Sequence, residues 1–381
     1  MSSDGEFICK VVIMGKTGTG KSTLINYLCG KPVAKVGTGK PVTQAGLYPE
    51  RVTIDDQEVI LYDSWGIEAG KTPEWKKIIK EEVTKRDAQA DPKDWFHCVI
   101  YCIQAGGGRV ENIDSEIIQD FLKDGYHVTI ILTKADQASD EELEIMKKTI
   151  FKEISGAKTA KKKDRLNIVE TCAEKKKLRS GQETEPTGRK EAIAAIFDGW
   201  KDTIIDRMPK HVIARVGLKI DDWAEKQKRE VEKGTIFGLK VLGLENDNKD
   251  IRKLIAENAD DQFQKIQKED LPLILKEAIE SCQKASAALK KAFDVQLDNN
   301  LFDMVKYENT ENFALSVIKA FLEGGLILPA VVNFFRRHSE SNIAEQKKEL
   351  CTLIDNLAQQ MKQEIEKKEQ HFSNIIEKAL S

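Results

Sequence analysis

The first half of the chain alternates short apolar runs with amphipathic stretches, whereas the second half carries mostly amphipathic or strongly charged ones. Residues 7–14, 95–103 and 127–132 are near-continuous apolar runs, the pattern of parallel strands buried on both faces. Residues 47–54 and 58–63, joined at Asp55-Asp56, read as a hairpin, and 166–171 as a last core strand. Helical patterns lie between them: 23–29 closed by Gly30, a charged stretch within 68–94, 114–123, 139–154, and 189–207. Residues 175–188 read as a polar loop. Strands that alternate with helices predict an α/β fold with a doubly wound, mainly parallel sheet.

No strand-like run stands out after residue 208. Residues 221–233 and 247–268 are charged and helix-forming, with an apolar interruption at 234–243. Residues 271–293 place Leu275, Ile279, Cys282, Leu289 and Phe293 near one face, with Ser286 among them. From Ile343 onward, Leu350, Ile354, Leu357, Met361, Ile365, Phe372 and Ile376 recur at helical spacings. They predict one amphipathic helix about 40 residues long. The chain is therefore read as an α/β domain over 1–208 and an all-α helical domain over 209–381. The most apolar stretch, 313–335, contains Lys319, Glu323, Gly324-Gly325 and Pro329, which argues against a transmembrane helix. Two readings of it stand: a buried helical hairpin, or a peripheral membrane contact with Arg336 and Arg337 at the headgroups.

The chemistry concentrates in Gly15-Lys16-Thr17-Gly18-Thr19-Gly20-Lys21-Ser22, which fits G-x-x-x-x-G-K-[ST] at every fixed position, between a strand and a helix. Glycines let backbone wrap an anion, and N–H groups at a helix N-terminus point at phosphate. Lys16, Thr17, Gly18, Thr19, Gly20, Lys21, Ser22 and Thr23 are the phosphate-binding candidates. Lys21 is expected to reach the β- and γ-phosphates and the Ser22 hydroxyl to ligate Mg²⁺. The hairpin ends in Asp63-Ser64-Trp65-Gly66, a D-x-x-G pattern. Asp63 is placed to hold a Mg²⁺ water, and the Gly66 N–H to meet a γ-phosphate. Thr43, in Pro41-Val42-Thr43, is the choice for a second Mg²⁺ ligand, with Thr38 its rival. Lys21, Thr43 and Gly66 are the catalytic candidates; Ser22, Thr43 and Asp63 are the metal candidates.

Thr133-Lys134-Ala135-Asp136 ends another strand and fits [NT]-K-x-D. A carboxylate at Asp136 accepts from guanine N1–H and the N2 amino group, whereas adenine lacks that amino group and presents an N1 acceptor. The Lys134 stem covers a base face. Cys172-Ala173, after the last strand, would let backbone N–H groups reach the guanine carbonyl oxygen.

Composition narrows the context. A net charge of -3 over 381 residues with 32% charged side chains leaves no basic footprint, so no nucleic-acid partner is expected. Seven cysteines without a C-x-x-C pair point to reduced thiols and a cytoplasmic address. Five histidines lack ligand spacing, so no zinc site is expected. Residues 1–6 show neither the basic nor the apolar part of a secretory signal.

With G-K-T-G-T-G-K-S, P-V-T, D-S-W-G and T-K-A-D in this order, residues 7–208 resemble a Ras-type G domain of the translation-factor-related class of P-loop GTPases. The first motif and the run H-C-V-I-Y-C-I resemble the dynamin-like, immunity-related and septin-like branches. The resemblance implies GTP/GDP and Mg²⁺ as ligands and hydrolysis of GTP to GDP. It also implies a nucleotide state coupled to movement or self-association of the helical domain, a homodimer or higher assembly included. A membrane-associated scaffold, or an interaction module with negligible turnover, is the alternative. Ras-like proteins carry a water-orienting Gln directly after the D-x-x-G glycine; here Ile67 stands there. Slow intrinsic hydrolysis, stimulated by a partner or a dimer, is the expectation. Arg109 reads either as a contributor in trans or as a solvated loop arginine.

Overall fold

The computed structural model describes residues 7–34, 47–55, 57–64, 66–67, 72–106, 110–155, 165–177, 183–236, 239–240, 248–293 and 343–380. Thr38, Thr43, Trp65, Arg109 and the stretch 313–335 lie outside the described residues.

The apolar runs become the middle of a six-stranded sheet ordered β2-β3-β1-β4-β5-β6. β1 (Cys9–Gly15) pairs in parallel with β3 (Gln57–Ser64) and β4 (Cys98–Gln104). β5 (Val128–Thr133) and β6 (Leu166–Thr171) continue the parallel run. β2 (Leu47–Ile54) pairs antiparallel with β3 and forms one edge. Every residue of β5 is buried, as are all of β4 but Gln104. β1 lies between strands that leave it in opposite directions along the sheet. Its C-terminal end is thus a switch point, where α/β sheets bind ligands. Because β1, β3, β4, β5 and β6 run the same way, Gly15, Ser64, Gln104, Thr133 and Thr171 all finish on that side. Helices α1 (Lys21–Cys29), α2 (Thr72–Thr84), α3 (Asn112–Lys123) and α4 (Asp140–Ser155) connect these strands.

Four features differ from the sequence reading. The helix expected to end near Arg207 is α5 (Arg189–Glu232), 44 residues long, with Pro209 inside it. Ile204, Met208, Val212, Val216 and Ile220 are all buried and recur every four residues. That stripe outweighs the lost donor and ring clash of an internal proline, a cost of about 3 kcal/mol. The single C-terminal helix is instead two, α8 (Ile343–Glu366) and α9 (Glu369–Leu380). The turn at Lys367-Lys368 falls in the seven-residue gap between buried Ile365 and Phe372, where no apolar side chain holds the helix to a core. The loop 175–188 contains a short ribbon of Lys176–Lys177 against Glu183–Thr184. A similar pair, Thr235–Ile236 with Leu239–Lys240, lies among the described helices of the second half.

That half also contains α6 (Asn248–Lys265) and α7 (Leu271–Phe293), joined through a π-helical turn at Ile266–Asp270. The predicted face of α7 is buried at Leu275, Ile279 and Cys282; the side chains of Ser286, Leu289 and Phe293 are outside the described residues. The chain forms two compact units, the first built largely from residues up to Arg207 and the second largely from Met208 onward. Among the described residues, no helix is long and apolar enough to cross a membrane.

Candidate nucleotide-binding site

The loop after β1 is shaped by glycine. Gly15 has φ +141°, and a Cβ there would sit 2.4 Å from the Cys102 carbonyl oxygen of neighbouring β4, so no larger residue fits without moving the sheet. Gly20 precedes α1 in the left-handed region, φ 87°. Lys21 opens that helix, and its Nζ donates to the carbonyls of Gly15 at 3.0 Å and Lys16 at 2.9 Å. An ammonium has three donors, so these two bonds orient the third. Burial lowers the Lys21 pKa, while nearby Cys102 and Asp63 act to raise it. Thr19 is buried and donates to Lys16 O at 2.8 Å. Thr17 and Gly18 face solvent; Ser22 and Thr23 are half-buried in the first turn of α1.

Asp63 lies near the end of β3, in register with Ile13 of β1. Its Oδ1 is buried with no hydrogen-bond partner. Burial pushes its pKa up to about 6, with Lys21 opposing. An orphaned carboxylate oxygen near an ammonium is costly. A hard cation with oxygen ligands would relieve that cost, so Asp63 and the Ser22 hydroxyl fit Mg²⁺ as donors. Gly66 lies against the phosphate loop: a Cβ on it would meet Thr17 Cα at 2.5 Å and Thr17 N at 2.6 Å. The next residue completes a parallel bridge to Lys16. Ile67 N donates to Gly15 O at 3.3 Å and Thr17 N donates to Ile67 O at 3.2 Å. The Ile67 side chain is in the core, 6% exposed. The position where the related class carries a water-orienting Gln is therefore a packing position.

Thr133 and Lys134 tie the third motif to the first. Thr133 Oγ1, buried at the end of β5, donates to Thr19 O at 2.6 Å. Lys134 adopts φ 54°, and its Nζ reaches Gly18 O at 3.1 Å and Gln104 Oε1 at 3.0 Å. Asp136 sits in the short 3-10 turn Ala135–Gln137. Cys172 follows β6; it exchanges backbone hydrogen bonds with Thr187 at 3.1 and 2.9 Å, and its Sγ donates to Glu174 O at 3.4 Å. Gly20, Thr23, Lys134, Asp136, Cys172 and Ala173 line a single pocket. Segments more than a hundred residues apart in sequence thus meet at the ends of β1, β5 and β6.

Sequence reasoning missed Gln104, Leu24 and Glu174. Gln104 is opposite Thr133 in the β4–β5 register, which is why its amide reaches Lys134. Leu24 and Glu174 line the same pocket. Each is adjacent to a motif, but only strand register and loop path reveal the contact.

Residues 10–134 match a family model described as a 50S ribosome-binding GTPase. The probable GTP-binding protein EngB of Aquifex aeolicus is 30% identical over 139 residues, 35% of this chain and 70% of that protein. The chain belongs to the P-loop GTPases of the translation-factor-related, Ras-like class. GTPase Era of Caldicellulosiruptor saccharolyticus is 28% identical over 138 residues, covering 36% of this chain and 43% of Era. The chain thus spans less than half the length of that relative. A solved structure of Toc33 from Arabidopsis thaliana with Mg²⁺ and GMPPNP has 18% identity and a TM-score of 0.39. It covers 52% of this chain and 86% of that one.

Proposed function

We propose that this GTPase binds GTP with Mg²⁺ and hydrolyses it to GDP, slowly when alone, with its nucleotide state coupled to the helical half. The observation that carries this reading is the one pocket lined by Gly20, Lys134, Asp136 and Cys172-Ala173, joined through Gly20 to buried Lys21. Asp136 selects guanine by accepting from its N1–H and N2 amino group, and the Lys134 stem covers the base. Lys21 balances charge on the transferring phosphoryl group, and the Gly66 N–H meets the γ-phosphate. Ser22, Thr43 and Asp63 hold Mg²⁺. When bound, that ion neutralises developing charge on the phosphate oxygens.

With Ile67 in the core, no side chain directly after the D-x-x-G glycine can orient water. Self-association or a partner would supply that group. We further propose domains over 1–208 and 209–381, and a cytoplasmic address consistent with seven free thiols.

The test is GTP turnover per molecule with Mg²⁺ over a hundredfold range of protein concentration. A specific rate that climbs with concentration supports activation by self-association, and a flat, slow rate points to another partner. Tight GTP binding with no turnover at any concentration would leave an interaction module and overturn the enzymatic reading. Asp136→Asn should shift preference from GTP toward xanthosine triphosphate; unchanged GTP affinity would sink the base assignment.

A further inference from the structure

Lys16, the second residue of the phosphate loop, carries a cation whose partners lie outside the loop. Its Nζ is 2.8 Å from Asp114 Oδ2 and 3.0 Å from Glu111 Oε1, at the start of α3. Asp114 is 2% exposed. Its Oδ2 also accepts from the Glu111 N–H at 2.9 Å, and its Oδ1 accepts from the Tyr101 hydroxyl at 2.7 Å. Tyr101 is fully buried in β4, opposite Met14 of β1. Burial and the adjacent carboxylate keep its phenol protonated and donating.

The main chain of Lys16 works in the other direction. Its carbonyl accepts from Lys21 Nζ at 2.9 Å and from Thr19 Oγ1 at 2.8 Å, and Lys16 bridges Ile67. One residue therefore joins a buried carboxylate through its side chain to the phosphate-facing lysine through its carbonyl. A carboxylate this buried is strongly destabilised without a cation, so Lys16 cannot swing away without leaving the Asp114 charge uncompensated. Any twist of residue 16 would carry along a carbonyl that aims Lys21. Phosphoryl transfer is sensitive to displacements of about 1 Å in such a group.

We propose that Asp114, held by Tyr101, is a positioning residue for the phosphate loop: it fixes Lys16 and thereby the carbonyl that orients Lys21. This rests on the reading of the chain as a GTP-hydrolysing enzyme. Binding of the triphosphate relative to the diphosphate tests it separately from turnover.

The experiment compares full-length wild type with D114N, K16M, K16R and the D114N/K16M double variant. Affinities for GDP and for a non-hydrolysable GTP analogue are measured together with single-turnover GTP hydrolysis and thermal melting. D114N and K16M should each lower the hydrolysis rate about tenfold and weaken the GTP analogue several-fold relative to GDP. The double variant should be no worse than either single one, and K16R, which keeps a cation for Asp114, should lose less than K16M. Equal impairment of K16R and K16M would overturn the proposal, because the ion pair would then not matter. So would additive losses in the double variant, or wild-type rates and ratios in a folded D114N. If D114N does not fold, K16R against the double variant decides the matter, since one keeps the pair and the other removes both charges. Wild type that binds both nucleotides without turnover would defeat the enzymatic reading, and the affinity ratio would still decide on positioning.

Discussion

Arg189 Nη2 donates to the Leu28 carbonyl at 2.6 Å, across 161 residues of sequence. Its Nε donates to Tyr27 O at 3.0 Å, and Nη2 also reaches Asp55 Oδ1 at 2.7 Å. The last carbonyls of a helix have no partner of their own and carry the negative end of its dipole. One guanidinium in the first turn of α5 thus caps the helix that starts at the phosphate loop and holds the β2–β3 turn. Arg189→Met should lower unfolding free energy by about 1–3 kcal/mol. Arg189→Lys should recover less than half, because a point charge cannot serve three acceptors in a fork. Urea midpoints of the three proteins check this, and a fully recovered lysine variant would contradict the geometry.

The bond from Thr133 to Thr19 predicts a second effect. The Thr133 hydroxyl lies 2.6 Å from a phosphate-loop carbonyl, and valine would fill the same space while leaving that carbonyl unpaired. A loss of about 1–3 kcal/mol follows, and part of it should appear as weaker GDP binding, since the bond joins the T-K-A-D segment to the phosphate loop. Thr133→Ser should keep both properties. Titration with a fluorescent GDP would settle it; an unchanged dissociation constant for Thr133→Val would mean that the loops hold their places by other contacts.

The sheet and the glycine-shaped loop after β1 were legible because their signals are local. A buried parallel strand must be apolar along its length, and wrapping a phosphate requires glycine and a lysine at fixed offsets. β6 was read at its observed bounds, Leu166–Thr171. What escaped the sequence depends on register and path. Lys134 meets Gln104 because β4 and β5 pair with Gln104 opposite Thr133. Asp114 was read at a helix start, and it does cap the first turn of α3, but its grip on Lys16 depends on the fold. The end of α5 was misplaced because Met208-Pro209 looks like a stop, and the buried stripe that overrides it shows only in three dimensions. The long C-terminal helix was overextended because spacings of seven fit a helix equally well with or without a turn between Ile365 and Phe372.

Two glycines of the site should behave differently on substitution. Gly66→Ala would place a methyl group 2.5 Å from Thr17 Cα and 2.6 Å from Thr17 N. Those are backbone atoms, so the D-x-x-G segment and the phosphate loop would have to separate. Gly18 also has a left-handed φ, +82°, but nothing lies within 4 Å of a Cβ there. Gly18→Ala should therefore cost only the conformational penalty, roughly 1–2 kcal/mol, and slow hydrolysis less than Gly66→Ala. Gly66→Ala should fold yet lose at least about tenfold in single-turnover rate. Equal rates in the two variants would show that the close approach of Gly66 to Thr17 plays no part in catalysis.

His97 predicts how the fold responds to acid. It is fully buried, accepts from the Lys10 N–H at Nδ1, 2.9 Å, and its Nε2 faces Pro92 O at 3.0 Å. These partners require the neutral ring with its proton on Nε2. Burial pushes the pKa down to about 3, with the Pro92 bond opposing, whereas an unfolded histidine titrates near about 6.5. Between those values the unfolded chain binds more protons than the folded one, so stability is complete above the upper value and is lost as pH falls. By pH 4.5 the loss from this group should reach about 2–3 kcal/mol. Asp63 works the other way: with its folded pKa raised to about 6, acidification relieves its burial. His97→Gln should therefore lose less stability than wild type between pH 7.5 and 4.5, and Asp63→Asn should lose more. The quantity to compare is each protein's own difference in urea midpoint between the two pH values, which removes any destabilisation already present at neutral pH. Equal differences in wild type and His97→Gln would mean that the acid sensitivity lies with other groups.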